Sequence, residues 1–295
     1  MRTKIIDSIY YKMKSNEKIF FLTADMGMNL VEKIEKSFPN RFANIGIAEQ
    51  NMIGVSAGLV NAGFRSFVYT ISNFAVIRCL EQIRNDILLH NYPITILGSG
   101  TGYDYSALGP THHSIDEWGI LKGLPNIEIY CPSTVEYSTN IIEKILSKKV
   151  PAYIRIPKGT YDFQNGGNDY YNLQGKRKKH LLISYGSIAP NCIEAMKINE
   201  NLNILILNKL KPLDGKLISE ILNEYENLWV VEDHLPNSGM FSVICEINAR
   251  KRLNKNVFSL APNEYTLDVG GSPDYFHKKY KIDTNGILQS ISNFN

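Results

Sequence analysis

The sequence predicts an α/β protein of two domains, a parallel-sheet domain over residues 1–160 and a smaller α/β domain over residues 180–295. Three observations carry this. Short, nearly continuous apolar runs recur with helix-like intervals between them, as expected of strands covered on both faces of a parallel sheet. The pattern halts once, from Thr160 to Lys179, where Gly, Asn, Asp, Gln and Tyr give a linker composition over 161–179. The 295 residues, 44% hydrophobic and 21% charged, are enough for two soluble cores.

Six runs mark the first domain: IFFLTAD (19–25), RFANI (41–45), RSFVYT (65–70), ITILGS (94–99), IEIYC (127–131) and AYIRI (152–156). After the linker come HLLISYG (180–186), NILILN (203–208), LWVVED (228–233) and VFSL (257–260), with a helix expected from Asp214 to Tyr225. No fixed short repeat and no low-complexity tract is present.

Charge and composition exclude several classes. A formal charge of +3 with scattered lysines gives no field suited to nucleic acid or an anionic membrane. The densest basic run, KRKKH (176–180), is read as a solvated linker edge. The four cysteines, Cys79, Cys131, Cys192 and Cys245, lie far apart with no CxxC pair, which argues against zinc and disulfides and for reduced thiols in a cytoplasmic protein. The start, MRTKIIDSIYYKMKSNEK, is too charged for a signal peptide, and no apolar run approaches the roughly 18 residues of a membrane span.

Four stretches carry candidate chemistry. GSGTG (98–102) lacks both the GK[ST] ending of a P-loop and the third glycine of a dinucleotide fingerprint, so it reads as a flexible loop at the sheet's carboxyl edge, where α/β proteins place ligands. In NIGIAEQN (44–51), Gly46 breaks a strand and a helix is expected from about Ala48 or Glu49, with Ile53, Ala57 and Val60 on its apolar face. Glu49 either complements the helix dipole or, raised in pKa by apolar neighbours, shares a proton with a ligand nitrogen. GPTHH (109–113) is either a surface loop or a presentation of two imidazoles suited to proton transfer near neutrality. Arg155, inside an apolar strand, needs a partner: a phosphate or carboxylate ligand, or an internal salt bridge.

Together, FPNRFANIGIAEQNMIGVSAGLVNAG (38–63), NFAVIRCLEQIRND (73–86), LGPTHHSIDEWGILKGLPNIEIYCP (108–132), PAYIRIPKG (151–159) and, more weakly, LKPLD with WVVEDH resemble the transketolase family of thiamine diphosphate enzymes. The resemblance spans nearly the whole chain and covers the half with the pyrimidine-binding and C-terminal domains. It implies that Glu49 hydrogen-bonds N1′ of the cofactor's aminopyrimidine, that Phe74 stacks on that ring with Ile71 and Ile77 around it, that His112 is a hydrogen-bond and proton-transfer group beside the substrate, and that Arg155 grips a sugar phosphate. The cofactor carries the chemistry.

No GDG sequence, the family's Mg²⁺ and diphosphate motif, occurs here. The resemblance therefore implies the second subunit of a split transketolase. It would be inert alone and paired with an N-terminal subunit that carries GDG and holds Mg²⁺, in a heterotetramer. Leu108 stands where common transketolases have an acidic residue that reads a substrate hydroxyl, and burying a leucine there removes a hydrogen-bond acceptor, so that discrimination at that hydroxyl is lost or supplied elsewhere. The family's histidine near the fourth strand is missing, Ile71 and Ile77 replace aromatics, and Tyr103, Tyr105 and His113 become further candidates for substrate contact. Two other readings stay open: a pyruvate-using relative, either a 1-deoxyxylulose-phosphate synthase type or a 2-oxoacid dehydrogenase β type, and a non-catalytic subunit that keeps only the fold.

Overall fold

The structure, a computed structural model, describes residues 1–159, 161, 163 and 167–294. Its first sheet contains β1 (Ile19–Thr23), β2 (Phe42–Asn44), β3 (Arg65–Ile71), β4 (Thr95–Ser99), β5 (Glu128–Tyr130) and β6 (Ala152–Ile156). The second contains β7 (Tyr170–Leu173), β8 (His180–Ser184), β9 (Leu202–Leu207), β11 (Asn227–Val231) and β12 (Asn256–Leu260), while β10 (Lys209–Lys211) crosses to the first. The order β2-β1-β3-β4-β6-β5-β10 is parallel except for β10, and β7-β9-β8-β11-β12 is parallel except for β7. The ten apolar runs read from the sequence all contain strands.

Local chemistry starts the helices. Thr134 caps Val135–Leu146 by accepting from Tyr137 N at 3.2 Å, and Asp214 caps Gly215–Asn223 by accepting from Lys216 N and Leu217 N. The helix expected from Asp214 to Tyr225 thus begins one residue later, with Asp214 as its cap. Cys79, Cys131 and Cys192 are buried and Cys245 is half-buried; all four are free thiols. Among the described residues no helix is long and apolar enough to cross a membrane.

Three features depart from the sequence reading. The 161–179 linker contains an ordered strand: Tyr170–Leu173 pairs antiparallel with β9, and an edge strand with polar neighbours resembles a linker in composition. Its residues 162 and 164–166 lie outside those described. His180, expected at the end of a solvated run, is buried in β8, where Trp229 Nε1 donates to its Nδ1 at 3.1 Å. The third departure is β10, a three-residue strand too short to show a period. It leaves the second domain to pair with β5, and Lys209 meets Glu128 there at 2.8 Å.

The two domains share one apolar core, which runs from Leu22, Val68 and Ile96 through Ile129 and Tyr153 to Leu181 and Leu228. A buried ionic cluster sits in the same seam. Arg155, fully buried on β6, donates through Nε to Glu117 at 2.6 Å, through Nη1 to Asp233 at 3.1 Å and through Nη2 to the Ser114 carbonyl at 2.6 Å. Burial opposes its charge, but Glu117 and Asp233 outweigh that and hold its pKa well above the ordinary value.

Arg155→Met leaves two buried carboxylates without their cation and is expected to cost about 3–5 kcal/mol of stability, read from urea unfolding. His234 tests the pH side of the same seam. Burial first, and then the Arg155 charge, hold it well below 6.5, so the unfolded chain takes up its proton first as pH falls. Stability is therefore present above about pH 6.5 and lost below it. The melting temperature should drop between about pH 7.5 and 5.5, and drop less in His234→Asn.

Candidate active site

The strand order of the first sheet reverses at β1: β2 lies on one side of it, and β3, β4 and β6 follow on the other. Ligands in such sheets bind beyond the carboxyl ends of the strands at that switch point. Segments leaving the carboxyl ends of β2, β3, β4 and β6 carry Glu49, Phe74, His112 and Lys158, respectively.

Glu49 opens the helix Glu49–Asn61, as expected, because Gly46 turns the chain at φ +73° and Ala48 takes a non-helical conformation. Its first-turn position suits the helix dipole. The carboxyl is only 2% exposed, yet its surroundings are not purely apolar: Arg78 Nη1 donates to Oε2 at 2.6 Å. The guanidinium also lies over the Phe74 ring at 4.4 Å, which joins carboxylate, cation and aromatic ring in one stack. Phe74 and Arg78 are four residues apart, the spacing that places side chains on one helical face, and that signal was available in NFAVIR. Ile71 is buried at the end of β3, and Ile77 is 40% exposed on the rim of a cleft of about 530 Å³ with Gln50, Arg78 and Arg84. The hollow of about 410 Å³ between Asp169, Lys209 and Leu217 contains no residue of this group.

His112 ends the short turn Pro110–His112. Its ring meets the Phe74 ring edge-on at 5.1 Å and lies 6.5 Å from Tyr105. Thr111 Oγ1 lies 3.0 Å from Nδ1, which leaves Nε2 for another partner. Asn73 Nδ2 donates to the Thr111 carbonyl at 3.1 Å and so ties this loop to the Phe74 helix. Burial lowers the His112 pKa below 6.5 and keeps the imidazole neutral around pH 7.

Four other expected contacts differ. Arg155 is wholly enclosed and all three of its donor groups are taken by protein, so the internal salt bridge is realised and a sugar phosphate cannot reach it. Tyr103 is fully buried, with its ring stacked on Phe276 at 4.3 Å and 8°. His113 is 4% exposed and lies edge-on to both Tyr103 and Phe276 at 5.0 Å, so of the two adjacent imidazoles only His112 lies against Phe74. Leu108 is 56% exposed rather than buried, on a turn ending in Gly109 at φ +84°.

Tyr105 remains half-buried beside His112, its hydroxyl 3.1 Å from Ser99 Oγ. Over its ring, at 4.4 Å, lies Lys158 Nζ, an exposed cation two residues beyond β6 that the sequence reading passed over in favour of Arg155.

These placements define a two-domain α/β protein with a carboxylate, an aromatic ring and an imidazole on segments that leave the carboxyl edge of one sheet. Residues 2–164 match the transketolase pyrimidine-binding domain and residues 169–287 the transketolase C-terminal domain, and the chain belongs to the transketolase family. It is 28% identical to one subunit of the apulose-4-phosphate transketolase of Actinobacillus succinogenes, over 88% of this chain and 86% of that one. It is 30% identical to the 1-deoxy-D-xylulose-5-phosphate synthase of Halothermothrix orenii over 93% of this chain but only 45% of the relative. A solved structure described as a split gene transketolase, inactive beta4 tetramer, superposes with a TM-score of 0.84 at 24% identity, covering 99% of this chain and 97% of that one.

The family depends on thiamine diphosphate, and the donor set fits the pyrimidine end of that cofactor. A nearly buried carboxylate requires a donor, and the one it has, Arg78, is 42% exposed and able to share the site with a ring nitrogen. The strength of that pair is measurable in the chain alone. Arg78→Met is expected to cost about 1–3 kcal/mol by orphaning the Glu49 carboxylate, and adding Glu49→Gln should restore most of the loss in urea unfolding.

Proposed function

We propose that this chain is the pyrimidine-binding subunit of a two-chain transketolase, which moves a two-carbon ketol unit from a ketose phosphate to an aldehyde. A second polypeptide, carrying a GDG motif, holds the diphosphate and Mg²⁺. The observation that carries this is the Glu49 carboxyl, 2% exposed at the start of its helix, with Phe74 and His112 beside it along the same edge. The relative named as one subunit of an apulose-4-phosphate transketolase supports both a divided enzyme and a phosphorylated sugar.

Thiamine diphosphate, when bound, supplies the carbon nucleophile and an electron sink for the transferred unit. The residues of this chain prepare and steer that chemistry. The Glu49 carboxylate would accept a hydrogen bond from the pyrimidine ring nitrogen, and Arg78 holds Oε2 so that Oε1 is presented. Phe74 covers the ring plane. His112, neutral near pH 7, accepts and returns a proton at substrate oxygen through Nε2. Lys158 replaces Arg155 as the cation for the sugar phosphate, since it is exposed and lies against Tyr105 at the mouth of the same loop.

Mixing the chain with a GDG-bearing partner, thiamine diphosphate and Mg²⁺ is the test. Ketol transfer is expected, and Glu49→Gln should lower kcat by about 100-fold or more while leaving the fold intact. Activity unchanged by that substitution would favour a non-catalytic subunit. Lys158→Met should raise KM for phosphorylated sugars by about tenfold and leave unphosphorylated ones unaffected. The likeness to a 1-deoxy-D-xylulose-5-phosphate synthase favours the second reading, a pyruvate-using enzyme. Carbon dioxide release from pyruvate without ketol transfer would select it.

A further inference from the structure

The loop that carries His112 is anchored by the second domain. Its neck is closed by Gly102 and Ser114, which exchange hydrogen bonds at 2.9 and 2.8 Å. Gly102, at φ +50°, lies so close to the Asp233 carboxylate that a Cβ would overlap it. Beyond the neck, Leu235 N donates to the Ile115 carbonyl at 2.7 Å and Tyr265 Oη to Asp116 at 2.7 Å. Inside the loop, Tyr103 and His113 fold back together against Phe276, a residue of the helix Pro273–Lys279. Phe276 is wholly buried there, and Tyr280, one turn on, stacks on Tyr103 at 5.8 Å.

Backbone geometry turns this packing into a choice between the two imidazoles. His112 ends a turn, whereas His113 is extended at φ −69° and ψ 125°, so the two side chains diverge. With His113 seated on Phe276, His112 is left toward Phe74. We propose that Phe276 is a positioning residue for His112: through Tyr103 and His113 it fixes the loop so that this imidazole, and not its neighbour, faces the reacting centre. The C-terminal domain thereby acts on the chemistry without touching it. The catalytic part of this inference rests on the proposed function; the mechanical part does not.

Both parts are testable in the full-length chain. Amide exchange in the unassembled protein should show residues 102 and 114 of Phe276→Ala exchanging about tenfold faster or more than wild type, with β8 and β11 unchanged. Phe276→Tyr, which keeps the stacked ring, should stay near wild type, and Phe276→Leu should lie between. In the assembled enzyme, Phe276→Ala should lower kcat by about 10- to 100-fold while thiamine diphosphate affinity changes less than about twofold. Phe276→Leu preserves bulk and serves where the alanine variant fails to fold. Loop amides as protected in the leucine and alanine variants as in wild type would overturn the inference, as would a kcat unchanged in both. If the wild-type complex transfers no ketol unit, the function is rejected and the exchange rates still decide on Phe276.

Discussion

The seam between the domains depends on the charge of one buried arginine. Enclosing a guanidinium costs several kcal/mol unless its donors are met, and Arg155 meets them with two carboxylates and a carbonyl from two separate segments. Those segments belong to both domains: Glu117 and Ser114 come from the first, Asp233 from the second. Any sliding of one domain on the other would break at least one of these fully buried bonds. The cluster therefore fixes register more than it adds affinity, a use for which buried polar groups suit better than greasy contact. The continuous core supplies the adhesion, and the arginine makes it specific.

That fixed register reaches the cleft by a short route. Ser114, which accepts from Arg155, closes the neck of the loop that bears His112, and Asp233 packs against Gly102 on the other side of that neck and accepts from Ser187 at 2.6 Å. Ser187 in turn lies 3.0 Å from Thr101. The loop is thus pinned at its base by groups that are already immobilised by charge. Its tip is tied to the Phe74 helix by Asn73. A catalytic loop built this way needs no secondary structure of its own, which explains how a glycine-rich stretch holds a side chain in place.

Much of this was legible in the sequence and some was not, for identifiable reasons. Strands covered on both faces write themselves as apolar runs, so both sheets were visible in outline. Glu49 announced itself as a lone charge after a strand-breaking glycine. β10 and β7 escaped because three or four residues at a sheet edge carry too little apolar pattern. Arg155 posed a question that sequence left open: an arginine in an apolar strand announces a partner but does not say which, and Glu117 and Asp233 lie 38 and 78 residues away. Tyr103 and His113 looked like substrate groups because polar-tipped rings in a loop invite that reading; Phe276, far along the chain, was what claimed them. The Phe74–Arg78 spacing was the one missed signal that required no tertiary knowledge.

The cleft of a single chain is arranged to remain ordered while open. A half-site with a buried carboxylate would ordinarily swell or refold to hydrate it, yet Arg78 neutralises Glu49 and rests on Phe74. His112 is likewise held by Thr111 and Phe74. The surrounding surface is apolar and poorly covered: Ile47 is 78% exposed and Ile77 40%, and Gly54 and Gly58 on the Glu49 helix meet nothing within 4 Å. Under the proposed function this contrast follows from the division of labour. The residues that act on the cofactor must be positioned before assembly, because a second wall arriving from another polypeptide can bury them but cannot order them without a further loss of entropy. Arg78 is long and half-exposed, so it stabilises the lone carboxylate and still yields space to a ring, a combination that a short or fully buried partner for Glu49 would not provide.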